Sequence, residues 1–136
     1  MEVKKKIFIT EDHAILRAGL KALLESNPSY EVVGEADNGP DAIRYVAETS
    51  PDLVLMDVVM PGMNGFQATR QLTRQSETAK IPVIIVTTKD QETDKVWAKR
   101  QGARDYIVKP VLLDDLRKRL NVILTARGLE APGTSR

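Results

Sequence analysis

Short apolar runs alternate five times with amphipathic stretches, and this alternation restricts the fold more than any other feature of the sequence. Each apolar run is long enough for a buried strand and too short for a helix. Each following stretch repeats its apolar residues at helical spacing. The predicted strands are residues 7–10, 31–36, 53–56, 82–86 and 106–108, and the predicted helices lie at about 14–26, 42–50, 65–75, 90–101 and 113–127.

Strict alternation of strands and helices predicts an α/β domain, with a parallel sheet covered by helices on both faces. Right-handed crossovers leave few topologies for such a chain. We predict a flavodoxin-like, doubly wound fold with five helices and a five-stranded parallel sheet in the order 2-1-3-4-5. A length of 136 residues suits one folded unit. We assign it to residues 1–127 and expect the polar segment 128–136 to be disordered.

Chemically capable side chains follow the predicted strands that border the crevice. Glu11 and Asp12 follow the first strand, Asp57 the third, Thr87 ends the fourth, and Lys109 follows the fifth. The carboxyl ends of parallel strands meet at one edge of a sheet, so we expect these groups to converge. Two carboxylates 4 Å apart repel by about 4 kcal/mol at an effective dielectric of ~20. A magnesium ion relieves such repulsion and leaves room for phosphate oxygens, which predicts a phosphoryl-transfer site with a carboxylate nucleophile.

The same residues give the chain a resemblance to a known family. From about Lys5 to Arg127 it resembles the receiver domain of two-component response regulators. The motifs that carry the resemblance are the acidic pair Glu11-Asp12, the segment Asp57-Val58-Val59-Met60-Pro61-Gly62-Met63-Asn64-Gly65, Thr87, and the segment Tyr106-Ile107-Val108-Lys109-Pro110. Their order along the chain, each on the expected strand, makes the match specific.

The resemblance implies a role for each acid of the site. Asp57 is similar to the phosphoacceptor, which receives a phosphoryl group from a sensor histidine kinase. Asp12, Asp57 and the backbone carbonyl of Val59 resemble the Mg²⁺ ligands, and Glu11 is expected to act through a water. The expected function is a phosphorylation-dependent switch. Such a protein is no enzyme beyond its own phosphorylation and slow dephosphorylation.

The resemblance also implies phosphoryl-binding and switch residues. Thr87 and Lys109 resemble the groups that contact phosphoryl oxygens, and Tyr106 resembles the aromatic residue that moves with Thr87. The bond between Lys109 and Pro110 is expected to be cis. Trp97 fits either simple packing or, with Tyr106, a surface that binds a downstream target protein.

The two halves of the chain resemble different kinds of receiver. Residues 12–13 and 31–36 are similar to receivers that carry a helix-turn-helix output domain, whereas 65–72 and 87–97 are similar to single-domain regulators of twitching motility. Too few residues follow Lys109 for a helix-turn-helix unit, so we expect no direct binding to nucleic acid. The open alternatives are a switch for a target protein, a phosphate sink for a shared kinase, or the receiver part of a longer transcriptional regulator.

Two functions of other kinds also deserve comparison with the motifs. A magnesium-dependent phosphatase with an aspartyl nucleophile would place a second acid two residues later, where this chain has Val59. A degenerate receiver would serve only as an interaction module, but Asp57, Thr87 and Lys109 are all present. His13 is expected to start a helix beside the acidic pair rather than to bind metal.

The composition limits the kinds of binding partner and the cellular compartment that we expect. A net charge of +1 implies no strong field for nucleic acid, and the absence of cysteine excludes disulfides. We find neither the apolar core of a signal peptide nor a run of membrane-spanning length. We therefore expect a cytoplasmic protein without membrane contact, either monomeric or dimeric on phosphorylation.

Overall fold

The computed structural model describes residues 3–126 and contains ten elements in strict alternation. The predicted tail at 128–136 lies outside the described residues. Within residues 3–126, no helix has both the length and the apolar character needed to cross a membrane. The elements are β1 (Lys5–Thr10), α1 (Ala14–Glu25), β2 (Tyr30–Ala36), α2 (Gly39–Thr49), β3 (Leu53–Met56), α3 (Gly65–Arg74), β4 (Val83–Thr87), α4 (Glu92–Arg100), β5 (Asp105–Val108) and α5 (Leu113–Ala126).

The five strands form one parallel sheet in the order β2-β1-β3-β4-β5, which confirms the predicted fold. In this order β1 lies between β2 and β3. The chain adds strands in one direction up to β2 and in the opposite direction from β3, so the crevice of the sheet lies between β1 and β3. Thr10 at the end of β1 pairs with Met56 at the end of β3. Thr87 and Val108 pair in the same way at the ends of β4 and β5. The residues that follow these strands therefore emerge along one edge.

Two apolar layers cover the faces of the sheet. Side chains alternate across β1, so that Ile7 and Ile9 enter one layer and Phe8 the other. The first layer includes Leu20, Leu24, Leu116, Leu120 and Leu124 from α1 and α5. The second includes Ala42, Val46, Phe66, Leu72 and Ala98 from α2, α3 and α4. Because β1 and β3 are buried on both faces, the strand ends beside Asp57 have a rigid support.

The helix α2 begins earlier than the sequence predicts, at Gly39 rather than at about residue 42. In the structure Asn38 is the N-cap of α2, and its side-chain oxygen accepts the Asp41 N–H at 2.9 Å. Gly39 is the first helical residue. The side chain of asparagine can stabilise either a turn or a helix start, and here the cap satisfies an amide that the helix itself leaves unpaired.

The helix α4 is weakly anchored, as its polar sequence indicates. Ala98 is its buried residue, whereas Val96 and Trp97 are each 48% exposed. Gly102, which follows the C-cap, has a φ of +103°, a conformation that favours glycine. With so little apolar area buried, α4 can shift at a small cost in packing energy.

Replacing a core leucine of α5 tests the two-layer packing. Leu120 is fully buried in the layer shared with α1. We expect Leu120→Ala to lower the free energy of unfolding by about 2–5 kcal/mol, because it leaves a cavity. Val122 on the same helix is 69% exposed, and Val122→Ala should change stability by less than about 0.5 kcal/mol. Urea unfolding followed by circular dichroism measures both, and equal losses would contradict the assigned packing.

Candidate functional site

Asp57 lies directly after the buried strand β3 and is itself 5% exposed. Its N–H donates to the Thr10 carbonyl at 3.0 Å, which extends the pairing of β3 with β1. Its carboxylate Oδ1 accepts the Val58 N–H at 2.8 Å. Both its backbone and its side chain are therefore fixed by main-chain groups at the carboxyl edge of the sheet.

Gly65, the first residue of α3, is required by the close approach of this helix to Asp57. Its N–H donates to the Val58 carbonyl at 2.9 Å. A Cβ at this position would lie 1.9 Å from the Asp57 carbonyl oxygen, so no other residue fits without displacing the loop. The sequence included Gly65 in a motif but did not reveal this contact. Its only signal was the Asn64-Gly65 pair at a helix start, where Asn64 and Gln67 form a capping box.

Four side chains form a cluster able to hold a metal ion. Glu11, Asp12, His13 and Asp57 each offer a ligand atom, and these atoms lie within 4.8 Å of one another. Glu11 is 1% exposed. The buried Oδ1 of Asp12 has no hydrogen-bond partner within residues 3–126, although His13 Nδ1 lies 3.1 Å away. An unpaired carboxylate oxygen among other carboxylates suits a hard cation, so the residues present fit Mg²⁺.

Lys109 is the cation closest to these acids in the described structure. Its Nζ lies 2.6 Å from Glu11 Oε1 and 3.7 Å from Asp57 Oδ1. Glu11 Oε2 accepts the His13 N–H at 3.1 Å. One ammonium group cannot balance three ionised carboxylates, which leaves an excess of negative charge for a divalent ion.

The pKa values of the two buried acids are shifted in opposite directions. Burial and the charge of Glu11 raise the pKa of Asp57 to about 6, against the opposing effect of Lys109. Burial alone would also raise the pKa of Glu11, but the hydrogen bond and charge of Lys109 hold it below its ordinary value. At neutral pH Asp57 is therefore still mostly ionised, and its carboxylate can act as a nucleophile.

Thr87 and Tyr106 contact the same residue from two sides. The buried Thr87 hydroxyl accepts the Lys89 N–H at 3.4 Å, and the Tyr106 hydroxyl donates to the Lys89 carbonyl at 2.8 Å. Lys109 is tied to this region because its N–H donates to the Thr87 carbonyl at 2.8 Å. Burial, with the charges of Asp94 and Asp90, raises the pKa of Tyr106 to about 12, so its hydroxyl remains a donor at neutral pH.

The remaining predicted residues lie around this core of the site. Val59, two residues after Asp57, is more than half exposed. The bond between Lys109 and Pro110 is cis. Tyr106 lines a groove between α4 and β5 together with Val96, and Trp97 is not among the residues that line it. The structure thus places Trp97 on α4 beside the groove.

Comparison with known proteins identifies the family. A model of the response regulator receiver domain matches residues 7–121. The chain belongs to this family. Protein PilH of Pseudomonas aeruginosa is 56% identical to the receiver over 119 residues, which are 88% of this chain and 97% of PilH.

Other relatives of the receiver are longer proteins. The nitrate/nitrite response regulator protein NarL of Escherichia coli is 39% identical over 115 residues, 85% of this chain but 52% of NarL. The receiver thus spans nearly all of PilH and about half of NarL. Among solved structures, a LuxR-family two-component response regulator from Aurantimonas has a TM-score of 0.85 at 32% identity, covering 92% of this chain and 88% of that one. Receiver domains of this kind act in phosphorylation-dependent signalling.

Sequence reasoning missed one charged residue of the receiver, Arg17. Its Nη1 donates to the Glu11 carbonyl at 2.7 Å and its Nε to Glu35 Oε1 at 3.2 Å. Arg17 belongs to no motif, and Glu35 is 18 positions away on β2. Only the pairing of β2 with β1, which places Glu35 opposite Ile9, brings these groups together.

The raised pKa of Asp57 predicts how stability depends on pH. Because the folded-state pKa lies above its ordinary value of 3.8, the neutral form is favoured by folding, and this contribution is lost as the pH rises through about 6. The stability of Asp57→Asn relative to wild type should therefore increase by about 1–3 kcal/mol when the pH is raised from about 4.5 to about 7.5 in the absence of metal.

Urea unfolding in EDTA at the two pH values measures this difference. The matched control is Asp90→Asn, which removes an exposed carboxylate. A stability difference between Asp57→Asn and wild type that does not vary with pH would contradict the assigned pKa.

Proposed function

We propose that Asp57 accepts a phosphoryl group from a sensor histidine kinase in the cytoplasm and that the receiver then presents an altered surface to a downstream target protein. The observation that carries this proposal is the burial of Asp57 at a sheet edge, beside two further acids and 3.7 Å from the ammonium group of Lys109. No other described aspartate combines a core-strand end with such neighbours.

The transfer step follows from the ionisation of Asp57. Its carboxylate oxygen attacks the phosphorus of a phosphohistidine, an oxygen–phosphorus bond forms, and the phosphorus–nitrogen bond breaks. The leaving imidazole nitrogen keeps the electron pair and can be protonated. Lys109 offers positive charge to the developing phosphoryl oxygens. Since Lys109 is bound to Glu11 before the reaction, Glu11 keeps this ammonium group close to Asp57 without fully neutralising the nucleophile.

The unpaired Asp12 Oδ1 supports a cation in the same place. We propose that Asp12, Asp57 and the Val59 carbonyl hold Mg²⁺, with Glu11 acting through a water. When bound by these residues, Mg²⁺ would supply positive charge that screens the acids and attracts phosphoryl oxygens. His13 lies near enough to restrain Asp12, but its exposed ring favours the role of a helix-start residue.

The conformational change would extend from the site to α4 through Thr87 and Tyr106. Phosphorylation adds about −1.5 to −2 charges at Asp57 and several strong acceptors. Thr87, whose hydroxyl now accepts a long hydrogen bond from Lys89, can instead donate to a phosphoryl oxygen. Such a move would disturb the Lys89 backbone, to which Tyr106 is also bonded, and the weakly anchored α4 follows it. This is a shift between existing conformers.

A groove beside the site supports docking of the kinase. It has a volume of about 700 Å³ and lies between α1 and the segment after β5. Its apolar side chains include Leu16, Leu20 and Val111. Lys109, whose ammonium group lies 3.7 Å from Asp57, also lines it. Ile15 at its rim is 87% exposed. A kinase helix that brings its phosphohistidine to Asp57 would cover this surface.

Phosphorylation with a small donor tests the acceptor assignment. Wild type incubated with acetyl phosphate and Mg²⁺ should gain one phosphoryl group by intact mass, and the adduct should be stable in acid and labile in base. Asp57→Asn should lose the adduct entirely, and EDTA should block it because the carboxylates need the cation. Asp37→Asn, an exposed acid near the same edge, is the control. An adduct that persists in Asp57→Asn would overturn the assignment.

Tryptophan fluorescence tests the readout, because Trp97 is the only tryptophan. Titration of the Mg²⁺-loaded receiver with beryllofluoride, which imitates the phosphoryl group, should change its emission. Thr87→Ala should abolish most of this change, whereas Thr88→Ala, next to it and exposed, should retain it. An unchanged wild-type spectrum, with binding shown by fluorine NMR, would contradict motion of α4.

A further inference from the structure

Arg17 connects the acidic site to the neighbouring strand β2. It lies in α1 and is largely buried. Its guanidinium group donates from Nη1 to the Glu11 carbonyl at 2.7 Å and from Nε to Glu35 Oε1 at 3.2 Å. Glu35 is also 3.5 Å from the ammonium group of Lys21. The planar guanidinium therefore joins the residue that follows β1 to the strand β2 in one orientation, which a flexible ammonium group cannot do.

This bridge fixes the peptide unit that joins Glu11 to Asp12. The Glu11 N–H donates to the Ala36 carbonyl at 3.0 Å, and the Glu11 carbonyl accepts from Arg17. The residue is thus held on both sides of its Cα. Asp12 begins at the same peptide, so its backbone is restrained as well, and with it the Cα–Cβ bond from which its carboxylate extends.

We propose that Arg17, oriented by Glu35, is a positioning residue for the cation site, acting through the Glu11–Asp12 peptide. The proposal rests on the cation site described above. It predicts an effect opposite to that of simple electrostatics. A guanidinium near a cation repels it, so loss of the charge alone would tighten cation binding. Loss of the positioning contact would weaken it, because partners behind metal ligands set the ligand geometry.

Binding of Mn²⁺, used as a spectroscopic substitute for Mg²⁺, separates these effects. Electron paramagnetic resonance of the free ion gives the dissociation constant without any phosphorylation step. We expect Arg17→Ala to raise it about 10-fold. Arg17→Lys, which keeps the charge and one donor, should recover part of the affinity.

Lys21→Ala is the matched control. It removes a positive charge that also contacts Glu35 but does not contact Glu11. Its dissociation constant should equal that of wild type or be lower. Urea unfolding of every variant identifies those that are folded at the assay temperature. If Arg17→Ala is not, Arg17→Lys decides, because it keeps the positive charge and any loss of affinity then reports the lost geometry.

The outcomes distinguish this proposal from the proposed function. Wild type that binds Mn²⁺, with Arg17 variants that bind it equally or more tightly, would overturn the positioning role and leave the cation site intact. The same loss in Lys21→Ala as in Arg17→Ala would also overturn it, since the effect would then belong to the whole face of α1. Wild type that binds no Mn²⁺ would contradict the cation site itself.

Discussion

The repulsion among Glu11, Asp12 and Asp57 is the constraint on which the rest of the site depends. The fold holds these acids within reach of one another, although Lys109 offsets only part of their charge. Burial and the charge of Glu11 both raise the pKa of Asp57, so its ionised form is disfavoured at this place. Excess negative charge of this kind favours the binding of a divalent cation. Positive charge at the same place would then attract the negatively charged oxygens of a phosphoryl group.

Apolar packing supplies the rigidity that keeps the acids together. β1 and β3 are buried between two layers, and the backbone bond from Asp57 to Thr10 continues their pairing into the site. Gly65 lets α3 approach the Asp57 backbone more closely than any side chain would allow. By contrast α4, which is proposed to carry the response, has little buried area. Stability is thus concentrated where the acids are held and is low where movement is needed.

The sequence was sufficient for the sheet order and for the residues at its edge, because alternation and strand ends follow local periodicity. It predicted that Glu11, Asp57 and Lys109 lie at one edge. It did not show that Lys109 forms its shorter ion pair with Glu11 and a longer one with Asp57. Nor could it show that Thr87 and Tyr106 meet at the Lys89 backbone, or that Arg17 reaches Glu35. These contacts depend on side-chain conformations and on the spacing between elements, which local patterns do not encode. The asparagine before α2 is compatible with either a turn or a helix start, and in the structure Asn38 caps the helix.

A crystal structure of the receiver with Mn²⁺ and beryllofluoride tests this account most directly, since the anomalous scattering of Mn²⁺ locates the ion independently of the refined coordinates. The account predicts one Mn²⁺ bonded to Asp12, Asp57 and the Val59 carbonyl, and beryllofluoride on Asp57. It also predicts that the Lys109 ammonium group, now 2.6 Å from Glu11, has moved to a fluorine atom. Beryllofluoride on another carboxylate, or Mn²⁺ bonded away from Asp12 and Asp57, would contradict it.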